Sequence, residues 1–200
     1  APVAVVGWTM TGAAEPWTLS RVIAAGEALA PAAREGAASP GASTQVRGPL
    51  VAIVTHREPT GAVHCKRSGE TVPRTQITLA DDTREGARVV LWRTHAGVDV
   101  GPGDLVALES IRARWNEWAA RAEVCTGWAS EVTVLARASD ILGKTSRRGA
   151  NFSPIVDRAR VDAALAWARR EHAGLLETAA NAADEAVMGG GGARRDSLGA

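Results

Sequence analysis

The chain has little of several things that would settle its class at once. Only two of its 200 residues are cysteine, Cys65 and Cys125. That is too few for a disulfide framework, and no CxxC or Cys/His cluster offers zinc-ligand spacing, so a reducing compartment is expected and neither metal nor cofactor is. No apolar stretch approaches the roughly 18 residues that a helical membrane span needs, and no membrane association is expected. The first residues, Ala1 to Val6, are apolar but lack the basic run that opens a signal peptide. Runs of like charge are missing too, and the net charge is only +1. A whole surface built to neutralise phosphates is thereby excluded, so any nucleic-acid role must rest on local arrangement.

Catalytic motifs are equally scarce. There is no nucleophile elbow, phosphate loop or HExxH. Asp81 and Asp82 are adjacent, so their side chains diverge instead of converging on two metal ions about 3.5–4 Å apart. They read as turn carboxylates capping a hairpin, and the chain is expected not to be an enzyme.

What is present divides the chain by composition. Residues 1–44 form an N-terminal segment with Trp8 and Trp17, followed by a linker rich in Ala, Gly, Pro and Ser from Ala24 to Thr44, with a weak helix over Leu19–Ala33. Residues 45–137 are rich in β-formers. Residues 153–187 are helical: Ser153 suits the N-cap and Pro154 the first helical position. Val161, Ala164, Leu165, Ala168, His172 and Leu175 then fall on one face, as a helix packed on the domain or on a partner would require. Residues 188–200, with four consecutive glycines, read as a disordered tail.

Within 45–137 the strands follow from pattern. Val46–His56 is a long β-rich run. Thr71–Ala80 alternates, with Thr75, Ile77 and Leu79 on one side and Arg74, Gln76 and Thr78 on the other. Asp81 to Gly86 is a polar turn, and Arg88–Arg93 pairs back as a hairpin. Gly101 to Asp104 is a turn before Leu105–Arg114, and the last strands lie in Arg121–Thr126 and Trp128–Leu135. Short strands without a long helix among them predict a mainly β protein with a small barrel, followed by a C-terminal α-helix.

Three stretches resemble the OB folds of the replication protein A large subunit. TQITLADDT followed by RVVLW (75–83 and 88–92) resembles strand 2, its Asp-containing turn and strand 3. GPGDLVALESIRARW (101–115) resembles the entry to strand 4 and the run after it. Glu123–Leu135 and the trailing helix with Trp167 resemble the closing strand and the helix beyond it. Ile111 to Trp118 is similar to a pattern of the meiosis-specific OB-domain proteins, with the OB-fold shieldin subunit as the competing likeness. The resemblance implies a five-stranded OB barrel at 45–137 that binds single-stranded DNA in meiotic recombination or repair, in the nucleus and on chromosomes. The 3′-end exonuclease activity credited to the meiosis-specific proteins has no nuclease motif here to support it.

Binding single strands without sequence preference needs cations along the backbone path and aromatic faces for bases, each stacked base contributing ~1–3 kcal/mol. OB folds place both on the strand 2–3 face and in the loops after strand 1 and between strands 4 and 5. The candidates there are Arg57, Lys66 and Arg67 after strand 1, Arg74 on strand 2, Arg88 and Trp92 on strand 3, and Arg112, Arg114, Trp115, Trp118 and Arg121 around the end of strand 4. Trp92 reads either as a seal on the barrel end or as a stacking surface, and Lys66-Arg67 either as a solvated turn or as a phosphate contact. Arg and Lys outnumber Asp and Glu by eight to five over Gln45–Arg93 but only twelve to eleven over Gln45–Arg137. That balance keeps a second reading open: a protein–protein module in which the 153–187 helix forms part of the interface.

Overall fold

The computed structural model describes residues 16–30, 42–65, 68–144 and 156–189. Lys66, Arg67, the Ser153–Pro154 cap and the glycine-rich tail from 190 lie outside the described residues. One mixed sheet dominates. Its strands are β1 (Ser43–Val46), β2 (Leu50–Arg57), β3 (Gly61–Cys65), β4 (Glu70–Asp81), β5 (Arg84–Trp92), β6 (Leu105–Glu109), β7 (Ile111–Asn116), β8 (Arg121–Cys125) and β9 (Glu131–Ala136). They lie in the order β1-β7-β8-β5-β4-β2-β6-β9, with β3 paired to β4 off that path. The helices are α1 (Leu19–Glu27), α2 (Ala138–Ile141), α3 (Arg158–Glu171) and α4 (Ala173–Gly189), and a 3-10 turn spans Arg93–Gly97.

The nine segments correct the expected count of five, and the reason is bending. β1 and β2 are separated only by Arg47, Gly48 and Pro49, β6 and β7 only by Ser110, and β8 and β9 by Thr126–Ser130. Gly48 (φ 108°) and Ser110 (φ 51°) leave the extended region at two of these breaks. The β6–β7 trace pairs with β2 and β9 at one end and with β1 and β8 at the other, so the sheet curls. One side chain ties two breaks together: the Ser130 hydroxyl accepts from the Gly127 N–H and donates to the Ser110 carbonyl, both at 2.8 Å.

Two cores lie on opposite faces of the same strands. Leu50, Ala52 and Val54 of β2 join Ile77, Leu79, Val89, Leu91, Val106, Leu108, Ile111 and Val124 inside the curl. Val51 and Ile53 point the other way, with Leu105 and Ala107 of β6, and meet Ile141, Val161, Ala168 and Leu176 of the C-terminal helices. β2 is therefore apolar on both faces, which is why its sequence LVAIV shows no alternation.

α1 belongs to the inner core, although the sequence reading placed Ala24–Glu27 at the start of a linker. Leu19, Val22, Ile23 and Gly26 recur at helical spacing and are buried. A Cβ on Gly26 would stand 3.0 Å from the Ala122 Cβ and 3.2 Å from the Arg114 carbonyl, so glycine permits the close approach to β7 and β8. Asp81 anchors the helix start: Oδ2 accepts the Leu19 N–H at 2.7 Å, while Oδ1 accepts from Thr83 and Arg84. The single C-terminal helix expected at 153–187 is two helices, capped at the start by Asp157 and broken at His172. There the ring of His172 packs edge-on against Trp167, with centroids 4.8 Å apart. The break lets α3 lie on β2 while α4 packs on α2.

Leu19→Ala should lower unfolding free energy by about 2–5 kcal/mol, because it opens a cavity in a closed core; a urea melt distinguishes this from the small change a tethered linker helix would give. A second expectation concerns pH. Glu109 faces Glu131 directly across β6–β9, and burial first, then that like charge, push its carboxyl above its usual value. The folded chain then holds a proton just above pH 4.5 that the unfolded chain has lost, so stability falls as pH rises through that window. Glu131→Gln should raise the melting temperature at pH 7, by the equivalent of about 0.2–1 kcal/mol, and flatten this dependence.

Candidate nucleic-acid interface

The pleat sorts the candidate residues before any site is considered. Ile77, Leu79, Val89, Leu91, Ile111, Ala113 and Val124 point into the inner core. Their alternates on β4, β5, β8 and β7 must therefore point outward. Register aligns these alternates in rows. Arg74 lies opposite Trp92, Gln76 opposite Val90, and Thr78 opposite Arg88. Val90 lies beside Cys125, which in turn faces Arg112, and Arg114 faces Glu123 while Asn116 faces Arg121.

This outward face is a trough. Its middle row, Gln76, Val90 and Cys125, is only 5%, 0% and 7% exposed although it belongs to neither core. Gln76 donates to Glu58 at 2.6 Å, and burial raises the Cys125 thiol, which holds it in the unreactive protonated form. Beyond that row the trough opens into a groove of about 320 Å³ lined by Val72, Trp92, Arg93, Arg112, Gly127 and Trp128, with Cys65 at its side.

Four of the expected cations share this face without being consumed by an ion pair among the described residues. Arg88, Arg112 and Arg121 are exposed, and Arg74 lies 5.9 Å from the Trp92 ring centroid while donating to Gln76. Arg114 differs: it holds the buried Glu123 carboxylate at 2.5 and 3.0 Å. Arg57 differs more. Its guanidinium donates to the carbonyls of Val98 at 2.9 Å, Val100 at 2.6 Å and Ala96 at 3.4 Å, so it fastens the segment after β5 to β2. Asp81, Glu85 and the other acids form no cluster of three or more potential metal ligands among the described residues.

The tryptophans separate as well. Trp92 is half-buried and lines the groove, and its backbone N–H donates to the Thr126 hydroxyl at 2.9 Å. Trp115 follows the inward phase of β7 and is half-buried beside Ala122. Trp118 sits in the β7–β8 turn with its side chain fully exposed. Trp128, absent from the residues expected to bind, is 82% exposed at the groove rim. Arg93 lies 4.6 Å from its ring centroid and makes two 2.7 Å hydrogen bonds to Glu70. Alternation along strand 3 assigns Arg93 the phase opposite to Trp92. The positive φ of 57° at Arg93 ends the strand and turns the side chain onto the groove instead. Trp128 stands in a short break between Gly127 and Ser130, and that Gly-Trp-x-Ser signature was the available signal for it.

Oxidation by N-bromosuccinimide, followed by mass spectrometry, should modify Trp118 and Trp128 first and Trp92 and Trp115 several-fold more slowly. Equal rates would contradict this arrangement.

No curated protein matches the chain. Among solved structures, the second OB-fold domain of replication protein A from Methanococcus maripaludis is similar at 20% identity, over 46% of this chain and 86% of that one, with a TM-score of 0.39. A replication protein A heterotrimer bound to single-stranded DNA is similar at 15% identity over 67% of this chain and 26% of that one, with a TM-score of 0.46. The family model for the first OB-fold domain of shieldin complex subunit 2 matches residues 44–166. The chain, matched over more than half its length, belongs to the family of the shieldin complex subunit 2 first OB-fold domain.

Proposed function

We propose that the outward face of β4, β5, β8 and β7 binds single-stranded DNA, with bases stacking on Trp92 and Trp128 and phosphates running past Arg74, Arg88, Arg112 and Arg121. One observation carries the reading: residues from four strands, separated in sequence by up to 47 positions (Arg74 to Arg121), converge on one face that none of the described helices is packed over. Aromatic faces beside cations that make no ion pair among the described residues suit a flexible polyanion with exposed bases. Membership of the shieldin OB family supports a role in DNA repair within the nucleus. The finer placement in meiotic recombination, drawn from the Ile111–Trp118 pattern, belongs to the same proposal.

A second reading has its own observation. Trp118 projects fully exposed from the β7–β8 turn, well suited to a protein pocket, while Glu70 and Glu123 neutralise two of the arginines on the DNA face. The C-terminal stripe favours this reading less, because Val161 and Ala168 are buried against the chain's own sheet.

Titrating oligo-dT while following tryptophan fluorescence tests the first reading. Binding should weaken with salt, by about 0.7 in log K per log salt for each phosphate neutralised. Trp92→Ala and Trp128→Ala should each weaken it by ~1–3 kcal/mol. Arg88→Ala should reduce the salt slope by about one phosphate, whereas Arg57→Ala should lower the melting temperature with the slope unchanged. Absence of binding at low salt would overturn the reading, as would Trp118→Ala abolishing binding while both groove variants leave it intact.

A further inference from the structure

One pair on the groove is arranged against the ligand that the rest of the groove invites. Arg93 is held from both sides: its guanidinium makes two hydrogen bonds to Glu70, each 2.7 Å, and lies 4.6 Å from the centroid of Trp128. The fork-to-carboxylate geometry leaves fewer donors free for a phosphate and places a negative charge at the groove edge. The guanidinium also stands over the indole, which is still 82% exposed with it in place. The pair is open to solvent, with the two side chains 36% and 48% exposed, so water screens it and opening it is easy.

We propose that Glu70 is a restraint on the nucleic-acid site, acting through Arg93: it withholds that cation from phosphate until a strand displaces it. The proposal rests on the single-strand reading above and adds the residue that limits its affinity. Strand entry exchanges one carboxylate partner of Arg93 for a phosphate, an anion for an anion, so Arg93 remains paired throughout and only the partner changes. Glu70 opens β4 at the turn end of the β3–β4 hairpin, opposite Cys65, whereas Arg93 follows β5, so the pair also ties that hairpin tip to the end of β5. Hydrogen bonding to Arg93 holds the Glu70 carboxyl below its usual value, so the restraint persists throughout the neutral range.

The test is a cycle of four full-length chains: wild type, Glu70→Gln, Arg93→Ala and the double variant, each titrated with oligo-dT at several salt concentrations. Glu70→Gln should bind about fivefold more tightly near 0.1 M salt and steepen the salt slope by about 0.7, because no carboxylate is then freed to take up a cation when Arg93 turns to the phosphate. The gain should vanish on the Arg93→Ala background. A gain of equal size on both backgrounds would show that Glu70 acts by simple repulsion and would overturn the proposal. So would an unchanged slope in Glu70→Gln while wild type binds normally, a result that leaves the single-strand reading standing. If neither wild type nor Glu70→Gln binds oligo-dT at low salt, both the reading and the restraint fall. Melting temperatures within a degree or two of wild type for Glu70→Gln would show that any change is not one of folding.

Discussion

The alternation of side chains along a pleated strand allows each strand only two destinations, and here both are used. One set of alternates fills the inside of the curled sheet. The other set divides by position: on β2 and β6 it is apolar and roofed by α2, α3 and α4, whereas on β4, β5, β8 and β7, Ala80 apart, it is a buried middle row of Gln76, Val90 and Cys125 flanked by arginines that the described helices leave open. The candidate site lies where it does because the C-terminal helices occupy the other half of the outer surface. Gly103 shows how close that packing is. At φ 85° it would place a Cβ 2.9 Å from the Cβ atoms of both Ala138 and Ala179.

Electrostatics then refine the uncovered half. A net charge of +1 hides the local arrangement, because it does not tell which arginines are paired. Arg114 and Arg93 are held by carboxylates, Arg57 by carbonyls, and Arg137 by Asp104 at 2.7 Å and Asp99 at 2.9 Å. Among the described residues, Arg88, Arg112 and Arg121 are the cations left facing solvent on the trough. Such a site binds through a few contacts and stacked rings, and its affinity is set as much by what restrains the cations as by their number.

Much of this was legible in the sequence, for physical reasons. Period-two patterns on Thr71–Ala80 and Arg88–Arg93 fix which residues face outward, so Arg74, Arg88 and Trp92 could be assigned to one face without coordinates. What could not be read was local backbone deviation. Arg93 escapes its alternation through a positive φ, and Trp128 occupies a break that pattern alone assigns to a strand. Bends at Gly48 and Ser110 split traces that read as continuous. The role of Arg57 was hidden because its partners are carbonyls some 40 residues away, on a segment that has no side-chain signal. α1 was underestimated because the Ala-, Gly- and Pro-rich stretch from Ala24 on reads as a linker and masks the Leu19–Val22–Ile23 stripe, and its close packing depends on Gly26 meeting β7 and β8.

The central claim is that the uncovered outer face, not the helix-covered one, receives the ligand. Amide and indole chemical-shift mapping of the isotopically labelled chain during oligo-dT addition tests it directly. The largest shifts are expected along the outward positions of β4, β5, β7 and β8 and at the Trp92 and Trp128 indoles, with α3 and α4 unmoved. Shifts confined to α3, α4 and β9, or to the Trp118 turn alone, would contradict it.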